Sequence, residues 1–97
     1  MSLSVYYTPR SKETLTSVYQ FILNKFGVTA ANRFLLKSKK IIKLIAEHPL
    51  MFKASDIDEN VRVALVTKQC SLFYRAIDTA IHLLFFWDNR QEPLFAG

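Results

Sequence analysis

The stretch Val61–Arg90, VRVALVTKQCSLFYRAIDTAIHLLFFWDNR, decides how the rest of the chain is read. It holds three runs rich in β-branched and aromatic residues, parted by Lys68-Gln69 and Asp78-Thr79. Such runs with brief polar punctuation predict consecutive antiparallel strands over about 61–67, 70–77 and 80–87, joined by tight hairpins.

Two-residue turns at both points set Thr67 against Cys70 and Ile77 against Ala80. Arg75 then lies opposite His82, and Arg62 opposite Arg75. Opposed residues share a face, because side chains alternate along a strand. One face therefore carries Val61, Val63, Leu65, Leu72, Tyr74, Leu83, Phe85 and Trp87, an apolar surface that needs covering. The other carries a basic row, Arg62, Arg75 and His82, beside Ala64, Phe73, Leu84 and Phe86. A slip of one residue at either turn would move a whole strand to the opposite face.

Outward from these strands, Leu3–Tyr7 (LSVYY) predicts another short strand. Thr8 can cap a helix with Pro9 in its first turn. Apolar residues then recur at Leu15, Val18, Tyr19, Ile22, Leu23 and Phe26, the spacing of one helical face, and Gly27 stops the helix. Thr29 can cap a second helix over about 30–47, burying Ala31, Phe34, Leu35, Ile41, Ile42 and Ile45. Pro49 forbids its continuation. Phe21 and Leu36 point off the two apolar stripes.

The second helix also has a polar side formed by Arg33, Lys37, Lys40, Lys43 and Glu47, with Lys39 at the margin. Like charges at this spacing repel by a few tenths of a kcal/mol per neighbour. Such a row serves either solubility or an anionic partner. Residues 50–60 form a short strand or loop. Their acidic residues Asp56, Asp58 and Glu59 lack the spacing and glycine of a calcium loop and make a solvated turn.

The element order β-α-α-β-β-β-β predicts one α+β domain over 1–97, with two antiparallel helices on one face of a small, twisted, mostly antiparallel sheet. The 97 residues are 51% hydrophobic and 13% aromatic, enough for a small core. The single cysteine excludes an internal disulfide and, with two histidines, cannot complete a tetrahedral zinc site in one chain. No apolar run reaches the roughly 20 residues that span a bilayer, so a soluble, cytoplasmic protein without membrane attachment is expected. Charge is uneven. Residues 1–53 hold nine Lys/Arg and two Glu (9 − 2 = +7), and residues 54–97 hold four Lys/Arg and six Asp/Glu (4 − 6 = −2). The first part sets up a field that attracts polyanions or acidic protein segments.

A helix pair covers only one side of a sheet. Aromatic and aliphatic side chains left on the other side mark a partner's docking surface, and open strand edges can accept a further strand.

The arginine opening the first long strand (Val61-Arg62), Leu72-Phe73-Tyr74-Arg75 with Ile81 to Phe86, and the closing Asp88-Asn89-Arg90-Gln91-Glu92-Pro93 resemble, in that order, the RelE/ParE toxin superfamily of bacterial type II toxin–antitoxin systems, also known as plasmid stabilisation proteins. The resemblance spans nearly the whole chain. It implies a cognate antitoxin that wraps the toxin, in a dimer or toxin–antitoxin hetero-oligomer, and no cofactor. It also implies one of two targets. ParE-like members poison DNA gyrase and are not known as nucleases; RelE-like members cleave messenger RNA on the ribosome without metal.

By the same resemblance, Arg62 and Arg90 match the RelE-like active-site arginines, suited to phosphate charge, and Lys53 lies near the family's basic residues before that strand. The tail departs from the RelE-like pattern. Pro93, Leu94, Phe95, Ala96 and Gly97 stand where a Tyr or His-Tyr pair acts as acid or base, and Phe95 can stack but cannot move a proton. If the chain is an mRNA interferase, His82 is the substitute proton carrier, with Arg62 and Arg90; the alternative is a structural, half-exposed strand histidine beside Arg75. Otherwise Arg62, Phe73, Arg75, Leu84, Phe86, Arg90 and Phe95 bind the target or antitoxin, and Lys53, Arg33, Lys37, Lys40 and Lys43 form a basic patch. The expectation is a ParE-like toxin that acts by binding. The alternatives are a reduced mRNA interferase and a non-toxic nucleic-acid-binding module.

Overall fold

The computed structural model describes residues 2–56 and 58–90. In chain order they form β1 (Ser4–Tyr7), α1 (Pro9–Phe26), α2 (Val28–Glu47), β2 (Lys53–Ala54), β3 (Arg62–Thr67), β4 (Cys70–Ile77) and β5 (Ala80–Asp88). The five strands make one mixed sheet in the order β1-β5-β4-β3-β2, with β1 parallel to β5 and the other neighbours antiparallel.

Local chemistry accounts for the helix ends. The Thr8 hydroxyl accepts from the Ser11 amide at 3.1 Å, and Pro9 occupies the first turn, where its missing N–H costs nothing. Gly27 is the whole connection between the helices. Its φ of 95° favours a residue without Cβ, its amide donates to Leu23 O, and its carbonyl accepts from Ala31. Gly27, not Thr29, is therefore the N-cap of α2, which begins at Val28 without a side-chain cap.

Both hairpin turns have the expected length, with Thr67 opposite Cys70 and Ile77 opposite Ala80. Asp78 takes the positive φ (54°) that the second turn requires, a conformation aspartate tolerates.

Between the turns, two β-bulges change which residues share a face. In β3 the register shifts between Leu65 and Thr67, so Leu65 pairs with Ser71 and Val66 is the extra residue. Arg62 therefore lies opposite Tyr74, not Arg75. In β5, Tyr74 pairs with Leu83 and Phe73 with Phe85, which leaves Leu84 as the extra residue. Each bulge inverts the alternation beyond it.

The side facing the helices consequently holds Ala64, Val66, Cys70, Leu72, Tyr74, Ile81, Leu83 and Phe86, packed on Phe34, Ile42 and Ile45 of α2. Leu15, Val18 and Ile22 of α1 border this core. Phe86, expected on the uncovered side, is only 2% exposed within the core. Val63, Leu65, Phe85 and Trp87, expected under the helices, lie on the other side through their pairings with Phe73 and Ser71. Phe26, placed by periodicity on the buried stripe of α1, is exposed at the helix end.

The β5 bulge is held by α1. Among the described residues, no strand pairs with the outer edge of β5 past Leu83, because β1 ends at Tyr7. The Thr8 hydroxyl donates to the carbonyls of Leu83 (2.6 Å) and Leu84 (3.1 Å), and the Thr14 hydroxyl accepts from the Phe86 amide at 2.8 Å. Two threonines of the first helix thus stand in for a missing strand, satisfying backbone groups that would be costly to leave unpaired.

Candidate functional site

Two surfaces flank the core: the front of the sheet, away from the helices, and the outer faces of the helices. On the front, Phe73 stacks on Phe85 with ring centroids 4.6 Å apart and is itself buried, only 6% exposed, so the apolar side chains open to a partner on this side are Leu65, Ile77 and Tyr6. The Arg10 guanidinium lies over the Phe85 ring at 4.7 Å, a favourable cation–π distance. Leu65 is 57% exposed beside them, with Trp87 and Val63 half-buried.

Towards the β1 edge, Arg75 pairs with His82, and His82 meets Tyr6 edge-on at 5.5 Å. Arg75 Nε is buried and has no hydrogen-bond partner among the described residues. The sole carboxylate within β3, β4 and β5 is Asp88, which pairs with Cys70 on the helix side. The strands' contribution to the front is therefore aromatic, aliphatic and cationic.

The residues predicted from sequence scatter across the molecule. Arg62 lies on the helix side, and its guanidinium is engaged with main chain: Nη1 donates to Phe52 O at 2.6 Å and to Leu50 O at 3.4 Å. Arg75 and His82 share the front with Phe73, but Arg62 does not join them, so the expected basic row is broken by the β3 bulge. Phe86 is core and unavailable to a partner. Leu84 is half-buried at the β5 bulge. Phe95 lies outside the described residues.

Arg90 follows β5 and forms a bidentate pair with Asp88, Nε to Oδ1 at 3.0 Å and Nη2 to Oδ2 at 2.9 Å. It also lies 4.8 Å over the ring of Phe21 on α1. These hydrogen bonds from Arg90 hold the Asp88 carboxyl below its ordinary value and raise the guanidinium's own affinity for its proton. A groove of ≈ 400 Å³ opens alongside, lined by Thr14, Ser17, Val18, Phe21, Phe86, Trp87 and Asp88. The strand partners of Arg62 and Asp88, Tyr74 and Cys70, are four residues apart on β4, about 13 Å. Arg62, His82 and Arg90 do not converge on one point.

Lys53, on the edge strand opposite Val63, is separate from Arg33, Lys37, Lys40 and Lys43, which are exposed on α2. The basic patch is thus two surfaces. Arg10, Leu65, Phe85 and Trp87 were missed as front residues. Arg10 belongs to a helix, and the others change sides at bulges that no glycine announces.

Residues 5–93 match the family model described as the ParE toxin of the type II toxin–antitoxin system, parDE. The chain belongs to the ParE toxin family. Among solved structures, this ParE-family chain is similar to the chromosomal ParDE toxin–antitoxin system from P. aeruginosa, at TM-score 0.76 and 16% identity over 90% of this chain and 96% of that one. It is also similar to the YoeB dimer from Staphylococcus aureus, at TM-score 0.62 and 13% identity over 88% and 94%. A copper-bound mutant toxin from Helicobacter pylori aligns at TM-score 0.61 and 18% identity over 91% and 96%. At these identities the structural likeness establishes the fold. No curated protein matches the sequence. No helix among the described residues is long and apolar enough to cross a membrane.

Proposed function

We propose that this ParE-family chain is a toxin that acts by binding an essential target, DNA gyrase, in the bacterial cytoplasm, and that a cognate antitoxin neutralises it by covering the front of the sheet. The observation that carries this reading is the front itself. It joins an apolar and aromatic surface to cations, and it holds in Arg75 Nε a buried donor with no acceptor among the described residues. An uncovered patch of this kind favours a partner over solvent.

The mRNA-interferase reading needs Arg62, His82 and Arg90 around one phosphate. It is weakened by the engagement of Arg62 with Leu50 and Phe52, by the pairing of Arg90 with Asp88, and by the placement of Arg62 and His82 on opposite sides of the sheet. The reading as a non-toxic nucleic-acid module rests on lysine-rich α2 alone.

Expression in a bacterial host lacking the antitoxin tests the proposal. It predicts growth arrest with accumulation of gyrase–DNA cleavage complexes and intact transcripts. Fragmented transcripts with normal DNA topology would favour the interferase instead.

A further inference from the structure

The outer face of α2 carries chemistry that the front of the sheet does not use. Arg33, Lys37, Lys40 and Lys43 are exposed there, and the one ion pair among the described residues, Arg90–Asp88, lies elsewhere. Their spacing of three and four residues puts them on one side of the helix, over about 15 Å from Arg33 to Lys43. Two leucines stand inside this row. Leu36 (62% exposed) follows Arg33 by three residues and precedes Lys40 by four, and Leu44 (39% exposed) follows Lys40 by four. A shallow depression of ≈ 330 Å³ lined by Lys40, Lys43, Leu44 and Glu47 marks the C-terminal end.

Cations alone would suit any polyanion. The leucines discriminate, because a phosphate backbone gains little from an aliphatic side chain, whereas burial of leucine against another apolar group is favourable. We infer that the outer face of α2 docks an acidic amphipathic helix of a partner protein. Its carboxylates lie on Arg33, Lys37, Lys40 and Lys43, and its aliphatic side chains on Leu36 and Leu44. Such a helix follows the helix-in-groove mode, with anchors three or four residues apart. This interaction is independent of the proposed toxin target, since the surface lies on the far side of the helix layer from the sheet front.

The test titrates the full chain against three fluorescent probes: a synthetic helical Glu/Leu/Ala peptide, the same peptide with Ser for Leu, and a short duplex DNA. The Leu-bearing peptide should bind most tightly. Leu36→Ser with Leu44→Ser, or Lys40→Glu, should each weaken it by about tenfold, the scale of a lost anchor or reversed interface charge. Lys68→Glu, in the β3–β4 turn, should leave binding unchanged. Thermal melts establish that the variants remain folded, as substitutions at exposed positions should. Duplex DNA binding as tightly, with no effect of the leucine changes, would overturn the inference in favour of a general polyanion surface. Absence of binding by every probe would overturn it in favour of a solvated face.

Discussion

Arg62 and Tyr74 stand directly opposite each other in the β3–β4 ladder, and both reach the segment that leaves α2. The Tyr74 hydroxyl donates to Pro49 O at 2.7 Å, and the Arg62 guanidinium to Phe52 O at 2.6 Å. Together they fasten the 49–52 segment to the sheet. Tyr74→Phe should lower stability by about 1 kcal/mol, and Arg62→Ala by about 1–3 kcal/mol, because charged donors form the stronger bonds. Urea melts of the two single variants and the double variant measure this. A double-mutant cycle without coupling, and an unchanged midpoint for Arg62→Ala, would remove the fastening role.

The same tyrosine and Cys70 set the response to alkali. Burial pushes the Tyr74 hydroxyl up to about 12, with Arg62 opposing the shift. Burial, aided by the Asp88 carboxylate, likewise pushes the Cys70 thiol up to about 12, against the opposing influence of the Trp87 backbone hydrogen bond and Arg90. Both groups keep their protons longer when folded than when unfolded. Their contribution is complete below the unfolded values near 9 and 10 and falls as pH rises towards 12. Stability should therefore decline from about pH 9 upward. The decline should be shallower in Tyr74→Phe than in the parent, and alkylation of Cys70 by iodoacetamide should stay slow until the chain opens. Rapid alkylation of native protein at pH 8 would contradict its burial.

Asp88 governs the opposite limb. Its folded value is lowered, chiefly by the hydrogen bond from Arg90. The stabilisation is complete above the ordinary carboxylate range and is lost as pH falls through the lowered value. The pair is partly exposed, so Asp88→Asn should cost no more than about 1 kcal/mol at neutral pH, and less in high salt. Acid titration of the melting temperature should show a flatter limb in that variant. An identical limb would assign acid sensitivity to other carboxyls.

Thr8 and Thr14 should matter more than their positions suggest. Thr14→Val removes the acceptor for the Phe86 amide, and Thr8→Ala removes both the helix cap and the donor to Leu83 and Leu84. Each should destabilise by about 1–2 kcal/mol. Hydrogen exchange at Phe86 should accelerate selectively in Thr14→Val. Uniform protection in that variant would show that the bulge is held by packing alone.

Much of this architecture was legible in the sequence because its determinants are local. Thr8-Pro9 and Gly27 mark helix ends through capping and φ preference, and Lys68-Gln69 and Asp78-Thr79 mark turns of the length observed. The ParE family resemblance held as well. The faces of the sheet were not legible beyond the bulges. Val66 and Leu84 look like ordinary strand residues, yet Val66 lies in the core and the Leu84 carbonyl accepts from the Thr8 hydroxyl, contacts that strand alternation does not announce. Those two insertions moved Arg62 and Phe86 to the helix side and Phe85 and Trp87 to the front. Arg10 reaches the front from a helix, so strand alternation could not locate it.

The central proposal is that the toxin acts by binding gyrase through the front of its sheet. The most direct measurement is gyrase-catalysed supercoiling of relaxed plasmid, titrated with the purified chain and with an Arg75→Glu variant of unchanged melting temperature. The parent should inhibit in a saturable manner, and the variant should need at least about tenfold more protein, as expected for charge reversal at a docking surface. Equal inhibition by both, or none by either, would contradict the account.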